Sequence, residues 1–171
     1  MRLSFYIADK EYCDFLRQKD PCVPYTMDRK ENRPFVGVVI EVNDIKYYAP
    51  LTSPKPKHKK MKNMVDFHKI NGGEWGAINF NNMIPIHRNC LKNIDVQKLS
   101  DTSDEDMKYK NLLNNQLSWC NANKNVIITK AEKLYNEVIK EENTVLTKRC
   151  CDFKLNEIRY KEYCQKMQLN T

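Results

Sequence analysis

The second half of this 171-residue chain has neither glycine nor proline: every proline lies at or before Pro85, and every glycine between Gly37 and Gly76. A half without breakers predicts helices and a punctuated half predicts strands and turns, so the expected fold class is α+β rather than alternating βαβ units. No apolar run approaches the roughly 20 residues of a membrane-spanning helix, and 30% of the residues are charged. A helical membrane protein is thereby excluded. Residues Met1 to Ile7 alternate and turn polar at Asp9-Lys10-Glu11, without a signal-peptide apolar region, so a cytoplasmic location is expected. The length suits a single domain, residues 1–171.

Motifs for several chemistries are also missing. The seven cysteines (Cys13, Cys22, Cys90, Cys120, Cys150, Cys151 and Cys164) are odd in number and contain no C-x-x-C. They read as reduced thiols packed as small apolar residues, not as a disulfide framework or zinc site. His58, His68 and His87 are the only histidines and form no H-E-x-x-H or close pair, so no metal site and no cofactor are expected. There is no G-x-x-x-x-G-K followed by Ser or Thr and no G-x-G-x-x-G, which disfavours a nucleotide-hydrolysing enzyme. The acidic cluster Asp101, Asp104, Glu105 and Asp106 directly precedes a helical pattern and is better explained as a stabilised helix N-terminus than as a two-metal site.

Local spacing gives the elements. Leu3 to Ile7 reads as a strand, followed by a helix that Asp9 caps and that carries Tyr12, Phe15 and Leu16 on one face. Phe35 to Val42 and Ile45 to Leu51 are β-rich and joined by Asn43-Asp44, residues that tolerate positive φ, so they predict a hairpin. Short strands are expected at Met64 to Lys69, Gly76 to Phe80 and Met83 to Ile86, with a turn at Asn71-Gly72-Gly73. Tyr109 to Cys120 and Ile127 to Ile139 repeat with helical period, and a third helix starts at Asp152. Residues Glu141 to Thr147 lack periodicity and read as a loop.

What is present is concentrated in one window. From Ile45 to Val65 there are six lysines and no carboxylate; without this stretch the net charge falls from +7 to +1. Such a run is equally the mark of a solvated face, but three details favour a phosphate-handling site. Pro50, Pro54 and Pro56 hold Ser53 and Lys55 in a stiff, extended segment. Tyr47 and Tyr48 set aromatic faces beside the lysines, as single-stranded nucleic acid requires, and because strand neighbours point to opposite faces only one of the two can line such a groove. Thr52 and Ser53 add hydroxyls at the strand end, although a strand-end turn explains the same pair. On RNA, the 2′-hydroxyl is itself the nucleophile. Lys55 can stabilise the phosphorane and protonate the leaving oxygen while Thr52 and Ser53 orient the 2′-hydroxyl or a phosphate oxygen. His58, inside the basic run, reads either as a proton carrier or as a solvated loop residue.

Four segments then resemble a known family: Arg33-Pro34-Phe35-Val36-Gly37-Val38-Val39, Tyr48-Ala49-Pro50-Leu51-Thr52-Ser53-Pro54-Lys55, Asp66-Phe67-His68-Lys69 and Ala77 to Pro85. Together they resemble the ToxN/AbiQ endoribonuclease toxins of type III toxin–antitoxin and phage abortive-infection systems, on the AbiQ-like branch. The resemblance implies a strongly twisted antiparallel sheet or open barrel of Kid/MazF type with surrounding helices. It implies metal-independent RNA cleavage to 2′,3′-cyclic phosphate and 5′-hydroxyl ends, and an inhibitory partner that is a repetitive, pseudoknotted antitoxin RNA, processed by the toxin and held with it in a closed complex. The catalytic positions it implies are Ser53, Lys55, Thr52, Tyr12 and Arg33, although Tyr12 also has the core-facing helical reading above. Some relatives carry lysine where Arg33 stands; arginine keeps the charge but does not readily release a proton, so Arg33 is expected to bind phosphate. The expected RNA-binding residues are Lys57, His58, Lys59, Lys60, Lys62 and Tyr48; Lys57 departs from an aromatic of some relatives, which bears on any base stacking there. Two other readings stand beside this one: a non-catalytic RNA-binding module, and a Kid/MazF-like RNase with a protein antitoxin.

Overall fold

A computed structural model describes residues 2–28, 31–141 and 144–170. Strand β1 (Ser4–Ala8) runs into helix α1 (Lys10–Arg17), and the Asp9 side chain caps that helix by accepting the Tyr12 backbone N–H at 2.8 Å. A short hairpin, β2 (Met27–Asp28) and β3 (Glu31–Asn32), precedes the long hairpin of β4 (Phe35–Val42) and β5 (Ile45–Thr52). Its turn residues Asn43 and Asp44 both take positive φ, at 49° and 64°, the geometry that the two-residue connection demanded. The first half continues with helix α2 (Pro56–Lys60) and strands β6 (Phe67–Lys69), β7 (Ala77–Asn79), β8 (Ile84–Pro85) and β9 (Leu91–Asn93). The second half is helical: α3 (Asp104–Ala122), α4 (Lys124–Ile139), α5 (Thr144–Arg149) and α6 (Phe153–Lys166).

Seven strands form one antiparallel sheet in the order β6-β7-β5-β4-β1-β9, with β8 paired to β5 beside this path. The α+β expectation and the antiparallel sheet with a helical second half hold. Strand β5 is the hub. It pairs with β4 along one edge, while β8 takes Tyr47 and Tyr48 and β7 takes Leu51 and Thr52 on the other. Helix α4 packs against β4, and α6 packs against β8, α4 and α1, so the central strands are covered.

That covering corrects the expectation for the tyrosine pair: neither lines a groove. The Tyr47 ring lies among Tyr135 and Phe153, and its hydroxyl donates to Glu157 at 2.8 Å. Tyr48, on the opposite face, is also buried, edge-on to Tyr6 at 5.3 Å. Its ring crosses Gly37, where a Cβ would lie 2.2 Å from Tyr48 Cδ1, and the β4–β5 register shifts just beyond, between Gly37 and Ile40. Tyr48 is therefore core, not an RNA platform.

Two further expectations change. The expected loop from Glu141 to Thr147, of which 142 and 143 lie outside the described residues, becomes helical from Thr144, where α5 starts; α5 buries only Leu146, so it shows little periodicity. It is held from outside by Arg149, whose guanidinium donates to the buried Asp66 carboxylate at 2.6 and 3.0 Å. The lysine run is likewise not a continuous extended segment: Pro56 opens the one-turn α2, where its missing N–H and fixed φ cost nothing. The acidic cluster does stabilise a helix start, with Ser103 capping α3 by accepting the Asp106 N–H at 3.1 Å. All seven cysteines are free thiols and all but Cys22 are buried, and burial pushes the thiols of Cys13 and Cys120 up to about 12.

Candidate active site

Strand β5 ends at Thr52 and the chain leaves the sheet through Ser53, Pro54 and Lys55. Two neighbours hold this exit. On the β4 side, the Leu51 N–H donates to the Pro34 carbonyl at 2.9 Å, and the register that pairs Phe35 with Pro50 brings Arg33 alongside Thr52. Arg33 is itself tied down by its backbone N–H, which donates to the Thr26 carbonyl at 2.6 Å. On the other side, Thr52 pairs with Ala77 of β7. Thr52 and Arg33 are half-buried, whereas Ser53 and Lys55 are exposed. Four of the five expected catalytic residues thus share one end of the sheet.

The turn before β7 forms the floor beneath them. Gly76 takes φ +89°, and a Cβ there would lie 2.1 Å from the Thr52 carbonyl oxygen; at Gly73, φ +96°, it would lie 2.7 Å from the His58 backbone. Both need the left-handed region and the absence of a side chain. The turn is anchored to α3 by Gln116, whose amide donates to the Trp75 carbonyl at 2.7 Å. These glycines were missed in the sequence as site residues, although their clustering was a signal: three of the chain's four glycines fall between Gly72 and Gly76.

Lys55 occupies the N-cap of α2 in extended conformation, φ −134° and ψ 145°. Its carbonyl accepts the His58 N–H at 2.9 Å, and its own N–H donates to His58 Nδ1 at 3.2 Å. His58 is buried with its ring against Phe67 at 5.8 Å. Burial, with Lys55 and Lys57 adding repulsion, lowers the imidazole below its ordinary value. This corrects the RNA-binding assignment of His58: the ring faces inward and holds the loop. Lys57, Lys59, Lys60 and Lys62 are exposed.

Tyr12 stands apart from the other catalytic candidates. It is fully buried, edge-on to Tyr163 at 5.0 Å, and its hydroxyl donates to the Pro85 carbonyl. Burial raises its phenol well above the ordinary range. The core-facing reading is the one realised, because a hydroxyl with no solvent contact and a committed acceptor cannot meet a substrate. Among the described residues no three His, Cys, Asp or Glu side chains gather as a metal site. A cleft of about 350 Å³ opens at the junction of β1 and α1, lined by Lys10, Thr26, Asn89 and Lys92 among others. One of its lining residues, Thr26, is the one whose carbonyl accepts the Arg33 N–H.

Chemically, the four expected catalytic residues at the sheet end bring one ammonium group, one guanidinium group and two hydroxyls, and the sequence has no carboxylate from Ile45 to Val65. Such a set binds and polarises a phosphodiester. Several known proteins are similar to this chain as a whole. The profile of the ToxN toxin family, type III toxin–antitoxin systems, matches residues 4–161. Endoribonuclease ToxN of Bacillus thuringiensis subsp. kurstaki is 31% identical over 170 residues, 96% of this chain and 86% of the relative. A solved structure from work on selective toxin inhibition by a non-coding RNA pseudoknot in type III systems matches with TM-score 0.80 at 30% identity, over 95% of this chain and 98% of that one. The structure of AbiQ, a lactococcal anti-phage endoribonuclease of the type III toxin–antitoxin system, matches with TM-score 0.80 at 26% identity, over 96% and 99%. These identities do not set the AbiQ-like branch apart from ToxN.

Proposed function

The chain belongs to the ToxN toxin family of type III toxin–antitoxin systems, and from that premise we propose that it is a metal-independent, sequence-specific endoribonuclease acting in phage abortive infection. The observation that carries this reading is that Arg33, Thr52, Ser53 and Lys55 fall together at one end of the β4–β5 hairpin, with Ser53 and Lys55 exposed. In the proposed reaction the 2′-hydroxyl of the RNA attacks the adjacent phosphorus. The O2′–P bond forms, the P–O5′ bond breaks, the 2′ proton leaves and the 5′ oxygen gains one. The products are a 2′,3′-cyclic phosphate and a 5′-hydroxyl.

Each side chain then has a role. Lys55 offsets the charge that builds on the phosphorane and can protonate the leaving 5′ oxygen. Thr52 and Ser53 orient the 2′-hydroxyl or a phosphate oxygen; an unassisted serine is a poor base, so Ser53 positions rather than titrates. Arg33, which keeps its proton, binds phosphate. Exposed Lys57, Lys59, Lys60 and Lys62 neutralise neighbouring phosphates of the strand.

The inhibitor is proposed to be an RNA made of structured repeats, which the enzyme cuts from a longer transcript and then retains in a closed protein–RNA complex. This is supported by the match to the structure studied for toxin inhibition by an RNA pseudoknot. Purification of the chain with its upstream DNA intact tests it: a co-purifying repeat RNA is expected. A co-purifying protein with no RNA would favour a Kid/MazF-like system with a protein antitoxin. Ser53→Ala and Lys55→Ala are each expected to lower cleavage of bulk RNA by at least about a hundredfold. Full cleavage by both would overturn the site assignment, and no cleavage by the wild type would leave an RNA-binding module.

A further inference from the structure

We propose that His58 is a positioning residue for Lys55, setting the direction of the catalytic lysine by accepting its backbone N–H. This rests on the reading of Lys55 as the phosphate-contacting group. In a capping box the N-cap N–H is satisfied by a Glu or Gln side chain at the third helical position. Here His58 stands at that position and its Nδ1 lies 3.2 Å from the Lys55 nitrogen. A glutamate would make the same bond but would set a carboxylate beside the lysine and against the incoming phosphate. A neutral imidazole supplies the acceptor without the charge.

The surroundings hold the ring in that role. His58 is 2% exposed, its ring leans on Phe67 of β6, and its backbone rests on Gly73 with no room for a Cβ. The charges that face it are Lys55 and Lys57 of its own turn; β6 and the 71–73 turn present Phe67 and Gly73, which do not titrate. Burial and these two lysines favour the neutral ring, so Nδ1 keeps its lone pair at neutral pH. Protonation would turn the acceptor into a second donor facing the Lys55 N–H, and the bond would be lost.

Two substitutions separate position from packing. His58→Phe keeps a ring against Phe67 and loses the acceptor; His58→Asn places an amide oxygen where Nδ1 stood and loses the ring. With the full-length protein and one RNA substrate, His58→Phe is expected to lower kcat by about tenfold to a hundredfold with KM within about threefold, because misplacing a catalytic group by an ångström costs this much. His58→Asn is expected to keep kcat within about threefold of the wild type. The wild-type rate should also fall on the acid side below the ordinary histidine range, a limb that His58→Asn should lack. Wild-type kcat in His58→Phe, a loss in KM alone, or an equal kcat loss in both variants overturns the proposal. If His58→Phe does not fold, the pH profile decides: an unchanged acid limb in His58→Asn overturns it. Lys55→Ala is assayed in parallel. Full cleavage there overturns the parent reading and this one with it, whereas a dead Lys55→Ala beside a fully active His58→Phe overturns the positioning role alone.

Discussion

Gly76 lies directly beneath the carbonyl of Thr52, so closely that a methyl group at Gly76 would stand 2.1 Å from that oxygen. The end of β5 and the turn before β7 therefore set each other's position. Gly76→Ala combines this clash with φ +89° and is expected to cost about 2–4 kcal/mol in urea denaturation and to lower cleavage with it. Gly72 also has positive φ but open space around it; Gly72→Ala should cost only about 1 kcal/mol and retain cleavage. Equal effects of the two would remove the contact with Thr52 as the cause.

Glu157 is buried and accepts hydrogen bonds from the hydroxyls of Tyr47 and Tyr135 at 2.8 and 2.5 Å, with Lys154 at 3.2 Å. Glu157→Ala removes the shared acceptor, leaving Tyr47 only the Phe153 carbonyl at 3.3 Å and Tyr135 the Lys154 ammonium at 2.9 Å, and is expected to destabilise the fold by about 2–3 kcal/mol. Glu157→Gln keeps an acceptor and should lose about half as much or less. Denaturant titration of the three proteins measures the difference.

His68 is buried on β6, with its ring 5.6 Å from Trp119 and Nδ1 without a hydrogen-bond partner among the described residues. Burial, helped by Lys130, pushes it down to about 4 from an ordinary 6.5. Its folded value is depressed, so the unfolded chain takes up the proton first. Stability is complete above about 6.5 and declines as pH falls toward about 4, by roughly 3 kcal/mol. His68→Phe should flatten the decline across this window, read from thermal midpoints at stepped pH.

Lys59 and Lys60 are exposed on α2, one turn beyond the proposed centre. Replacing both with glutamine is expected to weaken RNA binding and to reduce the slope of log affinity against log salt by about 1–2. Filter binding at several salt concentrations measures it. An unchanged slope would mean that these lysines only solvate the surface.

The elements legible in the sequence were those whose signal is local. Asn43-Asp44 needed only residues that tolerate positive φ, Asp9 and Asp152 are caps beside their helices, and the helical half follows from periodicity without breakers. The site residues Thr52, Ser53 and Lys55 came from the resemblance and from a charge asymmetry within one window. The parts that were missed depend on contacts distant in sequence. Nothing near Tyr48 shows that Gly37 and Tyr6 will enclose its ring. The inward turn of His58 depends on Phe67 and Gly73, nine and fifteen residues away, so a basic run looked uniformly solvated. Helix α5 shows a single buried residue and owes its place to Asp66, 83 positions upstream of Arg149.

The most direct test of metal-independent cleavage by the 2′-hydroxyl is the chemistry of the ends left by chelator-treated protein on RNA. Cleavage should persist in the chelator and leave 2′,3′-cyclic phosphate and 5′-hydroxyl ends, and a single 2′-deoxy substitution at the mapped scissile nucleotide should abolish it. Cleavage that stops on metal removal, or that leaves 5′-phosphate ends, would contradict the assignment of Lys55, Ser53, Thr52 and Arg33 as a metal-independent RNase site.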